Sequence, residues 1–230
     1  MKINKAMKKK LADKIVSVKK DESLKPMKLD KLVLRYMFLN GGISHKILIE
    51  KFGYTEKKLR RFKKLSHHNV IKEVEECEDG TVKSKYIYTL SGKGVEFGIK
   101  EGWRGFAQHY NGYEHTLKAE EVLYKLINEK NVPIESIINE NTQKELFAAT
   151  IQDAKQTLRK LRNSVKTKEE KKKIGNISIV DFIYKDSETK EYVAYEVVTS
   201  SYKEHQKLNH RNYAKYVLGI DTSSRNYNEI

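Results

Sequence analysis

Apolar residues recur at helical spacing in three consecutive segments of the front half of the chain. The first segment, residues 29–39, ends at a glycine pair that begins with Gly41, which is a typical helix stop. Ser44 is suited to cap a second helix that ends before Gly53, and Thr55 is suited to cap a third. The pattern therefore predicts three short helices in succession.

The third predicted helix is followed directly by two runs of strand character. Its apolar positions recur every third residue: Leu59, Phe62 and Leu65. Apolar and polar residues alternate over residues 71–76 and 82–90, and the Asp79-Gly80 pair between them favours a tight turn. Three helices followed by a hairpin, with a short closing helix after Ser91, predict a winged helix-turn-helix over residues 28–102.

The polar side of the third helix is strongly basic, and this identifies candidate contacts to duplex DNA. Arginine can pair with guanine edges in the major groove, and lysine mostly neutralises phosphate. Two lysines two positions apart on the second strand share one strand face. The candidate DNA-binding residues are Lys57, Lys58, Arg60, Arg61, Lys64, Lys83 and Lys85. The alternative is a winged helix that mediates only protein contacts.

Within the N-terminal segment 1–27, residues 1–20 alternate lysines with apolar residues at intervals of three and four, a spacing that fits one stripe of a helix, and residues 21–26 are suited to a linker. We expect a basic N-terminal helix or arm. It either docks through its apolar stripe or follows DNA phosphates.

The back half alternates predicted helices and strands, which indicates a second domain over residues 103–230. The predicted elements are helix 116–128, extended run 134–138, helix 143–165, exposed loop 166–173, strands 177–184 and 191–199, and helix 203–217. Together with the front half, this pattern predicts an α+β protein with a C-terminal α/β domain.

Charge divides the chain in the same way. Residues 1–100 carry 25 lysines and arginines against 12 acidic residues, whereas residues 101–230 carry 21 against 19. A polyanionic partner is therefore expected for the front half, and DNA, RNA or an anionic membrane would all qualify. Cys77 is the single cysteine, which fits a reducing cytoplasm, and no apolar run has the length of a transmembrane helix.

Two carboxylates interrupt the apolar strands of the back half. Asp181 lies in the run Ile-Ser-Ile-Val-Asp-Phe-Ile-Tyr, and Glu196 lies in Tyr-Val-Ala-Tyr-Glu-Val-Val-Thr. A carboxylate within an apolar strand is costly unless it is paired or coordinated. If the strands form a hairpin, both acids can hold one Mg²⁺, as phosphodiester cleavage requires. The alternative is that they pair with lysine side chains or tyrosine hydroxyls.

This part of the chain resembles the restriction-endonuclease-like, or PD-(D/E)xK, superfamily. Asp181 matches the strand aspartate of that pattern, with Val180 in place of the preceding proline, and Glu196 matches the second acid. Val198 stands where the superfamily has its lysine. The resemblance implies a nuclease-like scaffold with Mg²⁺ as the cofactor if the site is active.

The remaining positions of that pattern have candidates in this chain. Lys203 or Lys207 of the following helix would have to replace the lysine. Glu120 is the preferred helix acid, because it flanks an apolar stripe, and Glu140 is the alternative. The resemblance thus gives Glu120, Asp181, Glu196 and Lys203 as catalytic candidates, with Asp181 and Glu196 as metal ligands.

Over residues 28–218 the chain is similar to the replication-relaxation family of plasmids and mobile elements. The matching segments are Tyr88-Thr-Leu-Ser-Gly-Lys-Gly94, Glu114-His115-Thr-Leu, and Val180-Asp-Phe with Tyr195-Glu-Val-Val and Lys203 downstream. This resemblance implies a DNA-binding role in replication, transfer or transcription control of a mobile element.

Three hypotheses follow from the sequence. The leading one is a sequence-specific, double-stranded DNA-binding protein of the cytoplasm, expected to be a homodimer because many such readers bind paired half-sites. The alternative is a Mg²⁺-dependent endonuclease that its winged helix targets to DNA. The third is a protein-interaction adaptor whose basic face is incidental.

Overall fold

The computed structural model describes the backbone of residues 10–76, 82–107 and 112–230, and the side chains of residues 16–73, 84–107 and 112–230. The described chain divides into two compact units. Unit 1 comprises the residues up to Trp103 together with those from 112 to Glu120, and unit 2 comprises Arg104–Ala107 and Glu121–Ile230. Helices and two small four-stranded sheets confirm the predicted α+β class.

Unit 1 is built from helices around an antiparallel sheet with strand order β1-β3-β4-β2. Its elements are β1 (Lys10–Ile15), α1 (Lys28–Asn40), β2 (Ile43–Ser44), α2 (His45–Glu50), α3 (Glu56–Lys64), β3 (His68–Glu76), β4 (Val82–Leu90), α4 (Gly92–Lys100) and the first part of α5 (Tyr113–Tyr124). The predicted caps are present: the side chain of Ser44 accepts a hydrogen bond from Ile47 N, and that of Thr55 from Lys58 N. The predicted three-helix order and the hairpin strands are thus confirmed, and the turn at 79–80 lies outside the described residues.

The prediction of a helix at the N-terminus is wrong for Lys10–Ile15, which forms β1 and pairs antiparallel with β3. Apolar residues four positions apart share one side of a helix, and they equally share one side of a strand. The sequence pattern therefore did not discriminate between the two. The edge of β3 supplies hydrogen-bond partners that a short, isolated helix would lack.

The core of unit 1 lies between the helices and the sheet. Its largest fully buried side chains come from α1, the three following elements and β4: Leu34, Met37, Phe38, Ile43, Ile47, Leu48, Phe62 and Tyr88. The C-terminus of α1 is fixed by Gly41, whose φ of 76° is left-handed and whose N–H donates to Met37 O. α3 is therefore held from behind by a continuous apolar core.

Unit 2 contains a second sheet, with strand order β5-β6-β7-β8, in which β7 and β8 are parallel and the other pairs antiparallel. Its elements are the end of α5, a π-helical turn (Lys125–Glu129), a 3-10 turn (Ile134–Ser136), β5 (Ile138–Asn139), α6 (Glu140–Leu146), α7 (Ala148–Ser164), α8 (Lys168–Ile174), β6 (Phe182–Lys185), β7 (Tyr192–Glu196), α9 (Glu204–Tyr216) and β8 (Tyr227–Glu229). Buried residues of α7, α9 and the sheet form one core: Ile151, Ala154, Leu158, Ile183, Ala194, Tyr213 and Ala214.

The structure of unit 2 departs from the sequence prediction in several places. The extended run predicted over 134–138 contains a 3-10 turn, and the strand predicted over 177–184 begins only at Phe182. The helix predicted over 143–165 is interrupted at Phe147 between α6 and α7. The loop predicted over 166–173 contains α8, since Thr167 and Glu170 form a capping box at its start. The three-residue strand β8 was not predicted, because so short a segment carries little periodic signal.

Among the described residues, none of the helices combines the length and the apolar character that crossing a bilayer requires.

Candidate functional site

α3 separates its apolar and basic residues onto opposite sides. Leu59 and Phe62 are buried against the core of unit 1. Four of the predicted contact residues are exposed on the remaining surface of the helix: Lys57, Lys58, Arg60 and Lys64. A helix that is packed on one side and cationic on the other can be presented to a polyanion without losing its support.

Arg61, in contrast to the outward position predicted for it, is half-buried and paired within unit 1. Its guanidinium forms an ion pair with the buried carboxylate of Asp30 and donates to the backbone O of Lys25 at 2.5 Å. The same carboxylate accepts from Tyr54 Oη at 2.8 Å and from Met27 N at 2.8 Å. Arg61 therefore ties α3 to the start of α1, and its hydrogen-bonding capacity is used within unit 1.

Two further cations of α3 differ in how firmly they are held. Arg60 pairs with Glu56 one turn earlier, but both side chains are more than three-quarters exposed. Such a pair is worth little and can be exchanged for another anion. Lys63, which sequence reasoning did not select, has its Nζ 5.9 Å from the ring centre of Tyr86 on β4. It joins the basic surface of α3 to the hairpin.

The hairpin contributes one described cation among the predicted residues. Nζ of Lys85 lies 4.7 Å from the ring centre of Tyr113 at the start of α5. This cation–π contact fixes the direction of the lysine side chain. The side chain of Lys83 lies outside the described residues.

The Tyr88-to-Gly94 segment anchors the junction between α3 and β3. Ser91 donates through its hydroxyl to Ser66 O at 2.6 Å and through its backbone to His67 O at 3.1 Å. A Cβ at Gly94 would lie 2.0 Å from that same His67 O, so only glycine allows α4 to approach this closely. The motif thus has a structural reason: it holds the end of α3 and the start of the hairpin together.

His68 packs directly behind α3. Its side chain is fully buried and stacks on Phe62 with the ring centres 4.3 Å apart. Neither ring nitrogen has a hydrogen-bond partner, and burial, with the nearby charge of Lys20, holds the pKa of His68 well below its usual value. The histidine is therefore neutral and serves as an aromatic support for the helix.

Glu120, the preferred helix acid of the sequence analysis, belongs to unit 1. Its carboxylate accepts hydrogen bonds from the backbone N–H of Ser44 and, at 2.7 Å, from the Ser44 hydroxyl. Both residues are almost fully buried. Glu120 therefore stabilises the start of α2, whereas Asp181 and Glu196 lie in unit 2.

The structure brings Asp181 and Glu196 together at the neighbouring strands β6 and β7. Oδ2 of Asp181 accepts from the backbone N–H of Val197, the residue after Glu196, at 2.7 Å. Glu196 is only 1% exposed, and burial, reinforced by the charge of Asp181, raises the pKa of its carboxyl group to about 10. At neutral pH the carboxyl group of Glu196 is therefore protonated.

Two residues that sequence reasoning missed contact Glu196. The hydroxyl of Tyr202 donates to Oε1 at 2.8 Å, and Nδ1 of His210 lies 3.2 Å from Oε2. The same Nδ1 lies 3.0 Å from the carbonyl of Ile179, which can only accept, so the Nδ1 proton is directed there. Oε2 of Glu196 is consequently buried without a hydrogen bond.

Glu140, the alternative helix acid, lies in the same unit at the start of α6. Its negative charge contributes, after larger causes, to the raised pKa of both Glu196 and Tyr202. Its own Oε1 pairs with Lys144 at 2.8 Å on the surface. Of the two candidate acids, Glu140 is therefore the one that belongs to the same unit as Asp181 and Glu196.

The lysine candidates do not contact the acidic pair in the part of the chain that the structure describes. Lys203 is exposed at the start of α9, and Lys207 pairs with Glu204 at 3.4 Å. His210 lies one turn further along the helix from Lys207, on the same side. Residues 203, 207 and 210 share one side of α9 by their spacing, but which of them contacts Glu196 depends on how the helix packs.

The oxygen chemistry of the pair suits Mg²⁺. Asp181 directly precedes β6 and Glu196 ends β7, and one or two carboxylates are what Mg²⁺ commonly takes from a protein, with water among the remaining ligands. Glu196 also offers an oxygen that accepts no hydrogen bond. Within the described residues no group of three or more His, Cys, Asp or Glu side chains is arranged to hold a metal ion. Any Mg²⁺ bound here would thus take only Asp181 and Glu196 from the protein, and Glu196 would have to lose its proton first.

Comparisons with known proteins add no further assignment. No protein-family model, no curated protein and no solved structure matches the chain. Both candidate sites are therefore interpreted from their own residues.

Proposed function

We propose that the chain is a double-stranded DNA-binding protein in which unit 1 acts as a winged helix-turn-helix. The order α1, β2, α2, α3 and the β3–β4 hairpin, with β2 paired to β4, supports this assignment. In that arrangement α3 is the helix that enters the major groove, and the hairpin lies beside it as the wing.

The observation that carries the proposal is the division of α3 into a buried apolar side and an exposed cationic side. Lys57, Lys58 and Lys64 are suited to phosphates, and Arg60 is suited to a guanine edge. Nine residues make a helix about 14 Å long, and its diameter with side chains, about 10–12 Å, matches a major groove about 12 Å wide.

The charge distribution supports the same partner. The front half of the chain has 25 basic residues against 12 acidic ones, so a long-range field would draw a polyanion to this half. A sequence-specific reader of this kind is suited to control replication, transfer or transcription of a plasmid or other mobile element. A dimer on a palindromic site is the simplest form of such a reader.

The test uses the full-length chain and a binding site selected from random duplex DNA. We expect Lys57→Gln with Lys58→Gln to weaken binding and to lower the slope of log K against log salt by about 2, since each lost phosphate contact removes about 0.9. Lys28→Gln with Lys100→Gln, two exposed lysines outside α3, is the control of equal charge. Equal slopes for the two double variants would overturn the proposal.

Arg60→Ala tests base recognition separately. We expect this variant to relax sequence preference at one base pair, with a loss of about 1–3 kcal/mol for the preferred base. Selection of the bound sequences before and after the substitution measures this, and an unchanged preference would exclude Arg60 as a reader. Genome-wide mapping of the bound DNA then distinguishes sites at an origin, at a transfer region or at promoters.

A second candidate function, Mg²⁺-dependent endonuclease, is favoured by one observation: Asp181 lies beside Glu196, whose Oε2 accepts no hydrogen bond. The test is incubation of varied plasmid DNA with the protein and Mg²⁺ or Mn²⁺. Cleavage that is lost in Asp181→Asn and in Glu196→Gln, but kept in the exposed Glu188→Gln, would support it. Absence of cleavage with either ion would reject it.

A further inference from the structure

The near-neutral charge of the back half conceals a strongly basic segment. Residues 155–173 contain nine lysines and arginines against two glutamates. The rest of residues 101–230 contains twelve basic residues against seventeen acidic ones. The back half is therefore a basic segment joined to an acidic remainder, and an average over the whole half does not detect it.

The structure places this segment on the solvent side of α7 and α8. α7 faces the core of unit 2 through Ile151, Ala154 and Leu158, and α8 has no buried residue at all. Eight cations of the segment are exposed: Lys155, Arg159, Lys160, Lys166, Lys168, Lys171, Lys172 and Lys173.

These cations are not used to hold unit 2 together. In the described part of the chain, no ion pair involves any of the eight. Glu170, which could have neutralised some of them, accepts from the Thr167 hydroxyl at 2.7 Å in the capping box. Arg162 differs from the eight, since it donates to Gly175 O and so ties the end of α7 to the end of α8.

α8 gains little from the core, because its one apolar residue, Ile174, is only partly buried against it, and clustered like charges repel one another. The fold nevertheless caps this helix and tethers both of its ends. We infer that the exposed sides of α7 and α8 form a second DNA-binding surface, which neutralises phosphates of duplex DNA without reading sequence. This surface goes beyond the proposed function, because it lies on unit 2 and requires no contact from α3.

The chemistry of the surface fits a DNA backbone better than a lipid bilayer. From Lys155 to Ser164 the helix rises about 14 Å, which corresponds to about four phosphates along one strand. A helix that lies on a membrane presents a continuous apolar face. The exposed large apolar side chain in this segment is Leu161, which is 45% exposed among the cations.

The experiment compares two triple variants of the full chain on duplex DNA of random sequence. Lys171→Gln, Lys172→Gln and Lys173→Gln remove three charges from the surface. Lys185→Gln, Lys190→Gln and Lys215→Gln remove three exposed charges elsewhere in unit 2. We expect the first set to lower the salt slope by about 2–3 and to weaken binding about tenfold or more at 150 mM salt. The control set should leave the slope unchanged.

Two outcomes overturn the inference. Equal slopes for the two triple variants would mean that only net charge matters. Tight binding to vesicles containing phosphatidylserine, abolished by the first set while DNA binding is kept, would assign the surface to a membrane. Because glutamine and lysine have similar helix propensities, α8 should still fold, and circular dichroism checks this. Lys155→Gln with Arg159→Gln on α7 repeats the test on a second element.

The salt slopes of the variants distinguish a wrong assignment of α3 from a wrong assignment of the surface on α7 and α8. If only the α8 set changes the slope, unit 2 binds DNA and the assignment of α3 is wrong. If only Lys57→Gln with Lys58→Gln changes it, α3 binds DNA and the surface on α7 and α8 does not.

Discussion

The carboxylate of Glu120 accepts two hydrogen bonds from Ser44, one from its backbone N–H and one from its hydroxyl. Ser44 caps α2, so a buried negative charge from α5 is placed at the positive end of that helix. The contact joins the first part of α5 to the start of α2.

We expect Glu120→Gln to lower the free energy of unfolding by about 1–3 kcal/mol, because one buried donor loses its acceptor and the charge is lost. Urea unfolding followed by circular dichroism measures the change. Glu121→Gln, at the exposed neighbouring position, is the matched control and should change stability by less than about 0.5 kcal/mol. Similar losses in both variants would contradict the role assigned to Glu120.

Substitution of the two adjacent arginines of α3 should affect different properties: Arg61→Ala the stability, and Arg60→Ala the binding of DNA. Arg61→Ala leaves the buried carboxylate of Asp30 without its cation, so we expect a loss of about 2 kcal/mol in unfolding free energy. Arg60→Ala removes only an exposed pair and should change stability by less than about 0.5 kcal/mol while weakening DNA binding. Thermal unfolding and a DNA-binding titration on the same samples measure both effects. Equal losses of stability in the two variants would contradict the different roles assigned to the two arginines.

The protonated state of Glu196 makes stability depend on pH. Its pKa is raised from 4.5 to about 10 on folding, so between these values the folded protein holds a proton that the unfolded chain releases. The free energy of unfolding therefore falls as pH rises through this window, by up to about 1.4 kcal/mol per pH unit. Glu196→Gln should remove this slope and be more stable than the wild type at pH 8. Glu188→Gln should keep it, and parallel profiles for all three proteins would refute the assignment.

His68 makes the stability of the fold depend on pH in the opposite direction. Its pKa on folding lies well below 6.5, so the unfolded chain binds a proton that the folded protein excludes, and stability is lost as pH falls below about 6.5. His68→Leu, which is similar in volume and removes two unpaired nitrogens, should reduce this loss and gain about 1 kcal/mol at pH 5. The exposed His205→Gln serves as the control. If the variant is less stable than the wild type at pH 5, the stacking of His68 on Phe62 stabilises the fold by more than its unpaired nitrogens cost.

Local signals account for what could be predicted of the fold. Ser44, Thr55 and Ser91 each cap the helix that follows them, and each satisfies its orphan N–H groups within three residues. Such signals need no knowledge of the rest of the chain. β1 and β8 could not be predicted in the same way, because each is stabilised by a strand that is distant in sequence.

In the candidate sites, too, local patterns could be predicted and contacts between distant residues could not. The exposed cations of α3 were predicted, but Arg61 has the same local pattern and is captured by Asp30, 31 residues earlier. The pairing of Asp181 with Glu196 was predicted from two interrupted strands. The contact of His210 depends on how α9 packs, which no spacing in the sequence specifies.

The absence of a buried side on α8 has a further consequence, for protease sensitivity. Opening this helix exposes little of the core, since Ile174 is its one apolar residue and is only partly buried, so its local unfolding is expected to cost far less than global unfolding. Its consecutive lysines are then the sites at which trypsin should first cut the folded chain, before either core is disturbed. Bound DNA that covers these lysines would delay that cut, so the rate of a single nick reports on whether this surface is occupied.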